Sequence, residues 1–502
     1  MFMNQRKIGI LISYVNILVH AVLGFVYVPI LLHYIGKNEY GLYQLIGSLI
    51  SYFSIMDFGL TAAVTRYYSK FKALNDKVNM ENLLALAARG YAIVTGIILA
   101  IGFCCFFFID YLFGNSMSIH ELTEAKKMFV LLLINIAITV STMIFRAIIN
   151  SHEKFLFLKG LETIQLILQP ACVILILQKA PSAFSVALVQ TILNFGLIFC
   201  RGYYCFAKLK VKIKYHYWDK ELVHGFKRLS SDVFVETIVD QVFWKTNQIL
   251  LGIIRGTAAV AVYSISSLVY MNYMALSTAI SGVYLPHVTE MVAKNTSNKD
   301  LSDLFTQIGR WQYFLLGLVA TGFIIFGQKF IELWAGPGFS DSYWITILII
   351  IPFTVDLIQN IGLSILQAKN QYAFRARIYS CVGILNLCLA LPLGIRYGGI
   401  GCAIATGISM FVGNGLGMNW YYSKYIGLDI KNFWYQIGNI SKIILLCLLI
   451  GYGLNAYIIS SSKLVFLLKI LGYTVIYGVM IYFMAMSPGE KEKVRGIGQK
   501  FI

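Results

Sequence analysis

The chain has 502 residues, 58% of them hydrophobic and 13% charged, a balance that excludes an ordinary soluble domain and fits a polytopic membrane protein. Lys and Arg number 41 against 23 Asp and Glu, a formal net charge of +18, but these residues are spread along the chain, which argues against a nucleic-acid interface. The nine cysteines show no CxxC pair and no metal-ligand spacing, so they read as small apolar residues, and neither a cofactor nor a bound metal is expected.

A hydrocarbon core of about 30 Å takes roughly 20 apolar residues per helix. In chain order, windows of that size centre on Val19, Ser51, Gly96, Ala137, Leu168, Leu193, Val242, Met271, Leu318, Thr354, Leu387, Ile408, Leu449 and Ile476. The fold class is therefore an all-α polytopic membrane protein of about 14 transmembrane helices. Arg6 and Lys7 lead into a first run long enough to span and without a small-residue cleavage site, so that span is expected to be retained. With the N-terminus in the cytoplasm, cytoplasmic segments hold 31 of the 41 basic residues, a positive-inside bias that puts both termini on that side. The densest run, "KLKVKIKYHYWDKELVHGFKR" at 208–228, reads as a juxtamembrane loop against anionic lipid.

The chain carries a weak internal repeat. "LLHYIGKNEYGLYQLIGSLISY" (31–52) aligns with "LLGIIRGTAAVAVYSISSLVYM" (250–271) at an offset of 220, pairing Gly36 with Gly256 and Tyr43 with Tyr263. Farther on, "IINSHEKFLFLKGL" (148–161) aligns with "ILQAKNQYAFRARI" (365–378) at an offset of 217, pairing Phe155 with Tyr372 and Phe157 with Phe374. Spans 1 to 6 and 7 to 12 become equivalent halves, expected to be related by an axis along the membrane normal. The boundaries are 1–215 for the first lobe, 216–435 for the second, and 436–502 for two further helices and a cytoplasmic tail.

The stretch "VPILLHYIGKNEYGLYQLIGSLISYFSIMDFGLTAAVTRYYSK" (28–70), with its "IG..EYGLY" turn, Asp57 in "MDFGL" and a cationic end at Arg66, resembles the polysaccharide and O-antigen flippases of the Wzx type. These belong to the multidrug/oligosaccharidyl-lipid/polysaccharide exporter superfamily. The inner turns "NSHEKFLF" and "AKNQYAFR" are similar to that family's as well, and the resemblance covers about residues 5 to 485. It implies two six-helix lobes around a central cavity. It implies, too, a secondary transporter rather than an enzyme, moving an undecaprenyl-pyrophosphate-linked oligosaccharide across the bacterial cytoplasmic membrane by alternating access. Spans 13 and 14 then hold the lipid tail or serve general packing. A coupling ion, proton or sodium, and a polysaccharide polymerase and glycosyltransferases are the partners such a flippase implies.

Ionisable residues deep in a bilayer are costly and are either paired or exposed to a water-filled cavity. Five qualify as cavity residues for substrate or ion: His20 in span 1, Asp57 in span 2, Asp240 and Lys245 in span 7, and Asp356 in span 10. The offset of 220 pairs His20 with Asp240, which suggests a shared axial site; a histidine near neutrality suits proton coupling. Arg228, Asp232, Glu236 and Asp240 are each four residues apart and form one helical stripe. Lys245 lies about 140° round from Asp240, so either the polar arc with Gln241, Asn247 and Gln248 is wide or Lys245 pairs with another helix. Asp356 reads as a cavity group or a structural partner. Arg66 and Arg146 suit a first encounter with pyrophosphate, since guanidinium binds phosphate oxygens bidentately; positive-inside topology accounts for them equally. Glu162 and Lys159 read as an interfacial pair, and Arg89, Arg201 and Arg310 as snorkelling side chains. Tyr27, Tyr52 and Tyr270 are candidates for sugar contact.

No GxxxxGK[ST], GxGxxG or HExxH pattern occurs, so ATP hydrolysis and metalloprotease chemistry have no local support. Alternatives with the same fold are a multidrug exporter and a lipid II flippase. A membrane glycan polymerase is the reading from another class, and it lacks the large outward loop such an enzyme would carry.

Overall fold

The computed structural model describes residues 2–57, 59–369, 371–457 and 462–498, and excludes from that description the side chains of 2–18, 20, 21, 221–223, 225–236, 239, 372, 373, 497 and 498. Among the described residues all regular structure is helical. The first run is α1 (Phe2–Phe53), a tight turn at Ser54–Asp57, α2 (Leu60–Ala73), α3 (Lys77–Phe113), α4 (Ile119–Ser141), α5 (Met143–Ser151), α6 (Phe155–Leu177) and α7 (Ala183–Tyr203). The second is α8 (Lys220–Arg255), α9 (Thr257–Ala293), α10 (Asn298–Trp334), α11 (Asp341–Leu357), α12 (Ile361–Ala368), α13 (Tyr372–Tyr397) and α14 (Gly399–Met410). A widened π-helical stretch carries α14 on through the short α15 (Asn419–Tyr421) to Ile426, and α16 (Ile430–Tyr457), α17 (Lys463–Met480) and α18 (Pro488–Gly498) complete the chain.

Each of the predicted span centres lies in a helix, and among the described residues 12 helical stretches are long and apolar enough to cross a membrane. Two features separate 12 from the expected number. One stretch, Val22–Ala73, takes in parts of two predicted spans, although Gly36 (φ 74, ψ 179) is non-helical and divides the first run into two helices that meet at a kink. That conformation is open almost only to glycine. The other feature is α8, 36 residues long, whose intramembrane charges make it too polar to count.

The repeat is visible in the helix boundaries. Gly256, the partner of Gly36, also has positive φ, at 79°. Helix α2 ends at Ala73 and α9 at Ala293, an offset of 220; α6 begins at Phe155 and α13 at Tyr372, an offset of 217. Both α3 and α10 have 37 residues.

The chain forms two compact units, Met1–Ser264 and Ile265–Ile502. In the first, α1 packs against α4, α6 and α8, α2 against α5, and α3 against α4. Thus α8, which opens the second half of the repeat, packs with the first. In the second unit α14 packs on α11 and α13, and α10 packs on α11 and α16. Side-chain oxygens satisfy helix starts: Ser118 and Glu121 form a capping box on α4, and Ser182 and Ser297 cap α7 and α10, accepting from backbone N–H groups that have no partner inside the helix. The tail helix α18 is pinned to α10. Arg310 donates from Nε to Glu490 Oε1 at 2.8 Å, and from Nη2 to Glu490 Oε2 at 2.7 Å and to the Ala485 carbonyl at 2.9 Å.

Candidate functional site

A helix crossing lipid can place polar side chains only against other protein or a water-filled cavity. The seam between α1 and α8 follows that rule. Ser48 Oγ donates to Gln248 Oε1, Ser51 Oγ donates to Gln241 Oε1 at 3.2 Å, and the Tyr52 and Thr246 hydroxyls share a hydrogen bond. Gln241, Lys245 and Gln248 recur at the i, i+4, i+7 spacing of one helix face, so the seam that holds α8 to α1 also turns Lys245 into the first unit.

There Lys245 lines a cavity of about 410 Å³, within the usual range for small-molecule sites. Its walls are Tyr43, Gln44, Gly47, Ser48, Ile50 and Ser51 of α1, Leu132, Asn135, Ile136 and Thr139 of α4, Gln165 of α6, and Gln190 and Asn194 of α7. Lys245 is the one charged residue in this lining, and no hydrogen bond or ion pair to its ammonium exists among the described residues. The amides are held in place: Asn194 Nδ2 donates to Asn135 Oδ1 at 2.6 Å and Thr139 Oγ1 at 2.7 Å, and the Tyr43 hydroxyl donates to Gln190 Oε1 at 2.9 Å. A cation amid amides and hydroxyls, with no carboxylate in the lining, suits an anion that carries polyhydroxylated groups. On other faces of α1, α4 and α8 lies an apolar cavity of about 620 Å³, walled among others by Leu49, Phe53, Phe108, Phe129, Val242 and Ile249.

Of the four predicted cavity residues whose side chains are described, Lys245 alone lines the polar cavity. Asp240 is exposed and absent from the lining. Asp57 sits at the break between α1 and α2, where Thr61 Oγ1 donates to its Oδ1 at 2.8 Å and also contacts the Tyr91 hydroxyl at 3.0 Å. Asp356 belongs to the second unit, near the end of α11, with Arg375 close enough to act on it electrostatically. The His20 side chain lies outside the described residues, as do those of Arg228, Asp232 and Glu236. Among the tyrosines, Tyr52 is part of the α1–α8 seam, the Tyr27 hydroxyl is buried with no hydrogen-bond partner, and Tyr270 bonds Ser267 in the second unit. Gln165, Gln190, Asn135 and Asn194 escaped a search for charge; uncharged amides in mid-span carry the same kind of desolvation cost and are the signal that would have found them.

Arg66 is exposed on α2, whereas Arg146 on α5 is drawn into an ionic cluster. Glu162 of α6 is met by Lys159 Nζ at 2.9 Å, Arg146 Nη2 at 3.3 Å and Arg201 Nη2 at 3.5 Å. The interfacial Lys159–Glu162 pair is thus half of a larger arrangement, and Arg201 is an ion-pair partner rather than a snorkelling side chain. Beside the cluster, Phe157 of α6 stacks on Tyr204, which follows α7, with centroids 3.9 Å apart.

Comparison with known proteins adds family to geometry. Residues 7–292 match the model of a family described as "Polysaccharide biosynthesis protein". A Shigella flexneri protein named "Putative O-antigen transporter" is 23% identical over 417 residues, covering 78% of this chain and 91% of that protein. A Haloferax volcanii protein named "Probable low-salt glycan biosynthesis flippase Agl15" is 25% identical over 215 residues, 42% of this chain and 45% of that one. Among solved structures, the lipid II flippase MurJ in an inward closed conformation has the same fold, with a TM-score of 0.76 at 19% identity, covering 94% of this chain and 98% of that one. A multidrug MATE transporter of the MOP superfamily, inward-facing, gives 0.58 at 14% identity over 79% and 93%. This multi-pass helical membrane chain belongs to the polysaccharide biosynthesis protein family.

Proposed function

We propose that the chain is a flippase for polyprenyl-diphosphate-linked oligosaccharide, supplying repeat units to surface-polysaccharide synthesis. The observation that carries this reading is the polar cavity of the first unit, where a single cation, Lys245, is set among amides and hydroxyls. Lys245 takes the diphosphate charge in transit, the ring of Gln, Asn and Tyr groups exchanges hydrogen bonds with sugar hydroxyls, and the neighbouring apolar cavity borders the lipid chain. Asp57, held by Thr61 at a helix break, is the candidate for ion coupling, because discontinuous helices supply ion sites in transporters. The exposed Arg66 meets the substrate first. Both termini face the cytoplasm, and the membrane is the bacterial cytoplasmic one.

The test is transport in proteoliposomes holding the full chain, with fluorescent undecaprenyl-diphosphate oligosaccharide, lipid II and a cationic drug offered separately. Movement of the oligosaccharide lipid with a lower rate for lipid II and none for the drug supports the reading. Preference for lipid II or the drug removes it. Imposing pH or sodium gradients on the same vesicles identifies the coupling ion.

A further inference from the structure

The internal repeat provides a built-in control for the ionic cluster around Glu162. In the second unit the equivalent corner keeps the aromatic fastening: Phe374, the partner of Phe157 at an offset of 217, stacks on Tyr421, the partner of Tyr204 at the same offset, with centroids 3.7 Å apart. The charges are not kept. Arg146, Lys159, Glu162 and Arg201 correspond at that offset to Leu363, Ala376, Tyr379 and Met418. The same three-helix corner therefore folds with no charge at these four positions, its cation being Arg375, 5.0 Å over the Tyr379 ring, so the fold does not require a cluster around a carboxylate there.

The cluster's composition says what it is for. Three cations from three elements surround one carboxylate, so the four groups together carry a net positive charge. Arg201 has its Nε buried with no acceptor, and the two guanidinium groups lie near enough to repel each other. Such an arrangement lacks an anion with more acceptor oxygens and more charge than one carboxylate. We propose that Arg146, Lys159 and Arg201 form a binding site for a phosphate-bearing lipid headgroup, with Glu162 as the resident counter-ion that the phosphate displaces. Glu162 keeps the cations charged and ordered while the site is empty, and its departure frees them together. Assigning the headgroup to the transported lipid rests on the flippase reading; the anion site itself does not.

The experiment measures binding to the purified full chain of undecaprenyl diphosphate, inorganic pyrophosphate and phosphatidylglycerol. Removing the competing carboxylate by Glu162→Gln is expected to tighten undecaprenyl diphosphate about tenfold, and Arg201→Gln to weaken it about tenfold. The quadruple variant Arg146→Leu, Lys159→Ala, Glu162→Tyr, Arg201→Met installs the residues of the second unit; it is expected to fold with unchanged thermal stability and to lose the site. Binding unchanged or weaker in Glu162→Gln, or a quadruple variant that fails to fold, makes the cluster a structural ion-pair network and overturns the proposal. A response of undecaprenyl diphosphate and pyrophosphate without phosphatidylglycerol assigns the site to the cargo; an equal response of phosphatidylglycerol overturns that assignment in favour of bulk phospholipid. Failure of wild-type transport would remove the flippase reading while leaving these binding results standing.

Discussion

Where α5, α6 and α7 meet in the first unit and α12, α13 and α14 with its continuation meet in the second, the chain builds one corner twice. The ring stack recurs with centroids at 3.9 and 3.7 Å, while Arg146, Glu162 and Arg201 correspond in the repeat to Leu363, Tyr379 and Met418. A duplicated fold retains what packing requires of both copies. What one copy has alone is free to serve the substrate, and by that standard the first unit is the chemically specialised one. Its polar cavity draws on both copies of the repeat: Ser51 and Asn135 of the first correspond to Met271 and Pro352, whereas Lys245 comes from the second and corresponds to Phe25.

The comparison is most sharply tested by two lysines, the half-buried Lys245 in the first unit and the buried Lys469 in the second. Lys245→Met is expected to lower vesicle transport about a hundredfold at unchanged protein level, since it removes the cavity's one charge. In the second unit the Lys469 ammonium is already occupied, donating to Asn455 O and Oδ1, each at 3.2 Å. Lys469→Met should leave the transport rate within about twofold, and equal losses in both variants would erase the distinction.

Next come the paired kinks. Gly36→Ala puts a side chain into a conformation reserved for glycine but into open space, for about 2 kcal/mol of backbone strain. Gly256→Ala adds a Cβ 2.5 Å from the Ser116 carbonyl oxygen, so its loss of stability in thermal unfolding should exceed that of Gly36→Ala by about 1 kcal/mol or more. The ring stacks predict equality instead. Phe157→Ala and Phe374→Ala should each cost about 1 kcal/mol beyond lost burial, and a much larger loss in one would show that the corners are not equivalent.

The smallest effect concerns an arginine present in both halves, Arg89 and Arg310, separated by 221 residues. Arg89 lies 3.8 Å beneath the Tyr215 ring, whereas Arg310 grips Glu490. Burial raises the Glu490 carboxyl, but hydrogen bonds from Arg310 and the Ser487 N–H outweigh it and hold the carboxyl below its ordinary range. The docked tail thus binds fewer protons than the free one, so docking is fully present above the ordinary Glu value near 4.3 and weakens as pH falls through the lowered one. Asp303 and Lys493 line the same pocket. Hydrogen-exchange protection over 488–498, taken relative to the intrinsic amide rate at each pH, should fall between pH 5 and pH 3 in the wild type and lose that dependence in Glu490→Gln.

Much of this molecule was legible in one dimension. The spans follow from hydropathy because lipid demands a continuous apolar helix, and the repeat was readable because two glycines marked the same bend. Lys245 stood out in the sequence as a charge inside an apolar run. Asn135, Gln165, Gln190 and Asn194 did not, since a single amide in an apolar run has no periodic signature. Asp240 carried as strong a sequence signal as Lys245, yet it stays outside the cavity lining, since side chains about 140° apart on a helix meet different surroundings.

The sequence by itself determined that the chain is a helical membrane protein, where its helices run, and that its two halves share a plan. Each of these depends on local propensity and the solvent the helix must match. Tertiary structure alone decided that α8 packs with the first unit, that Lys245 rather than Asp240 reaches the cavity, and that Glu162 gathers three cations. Those outcomes depend on which faces of distant helices meet, and in a chain this uniformly apolar nearly every face is compatible with burial until the others have taken their places.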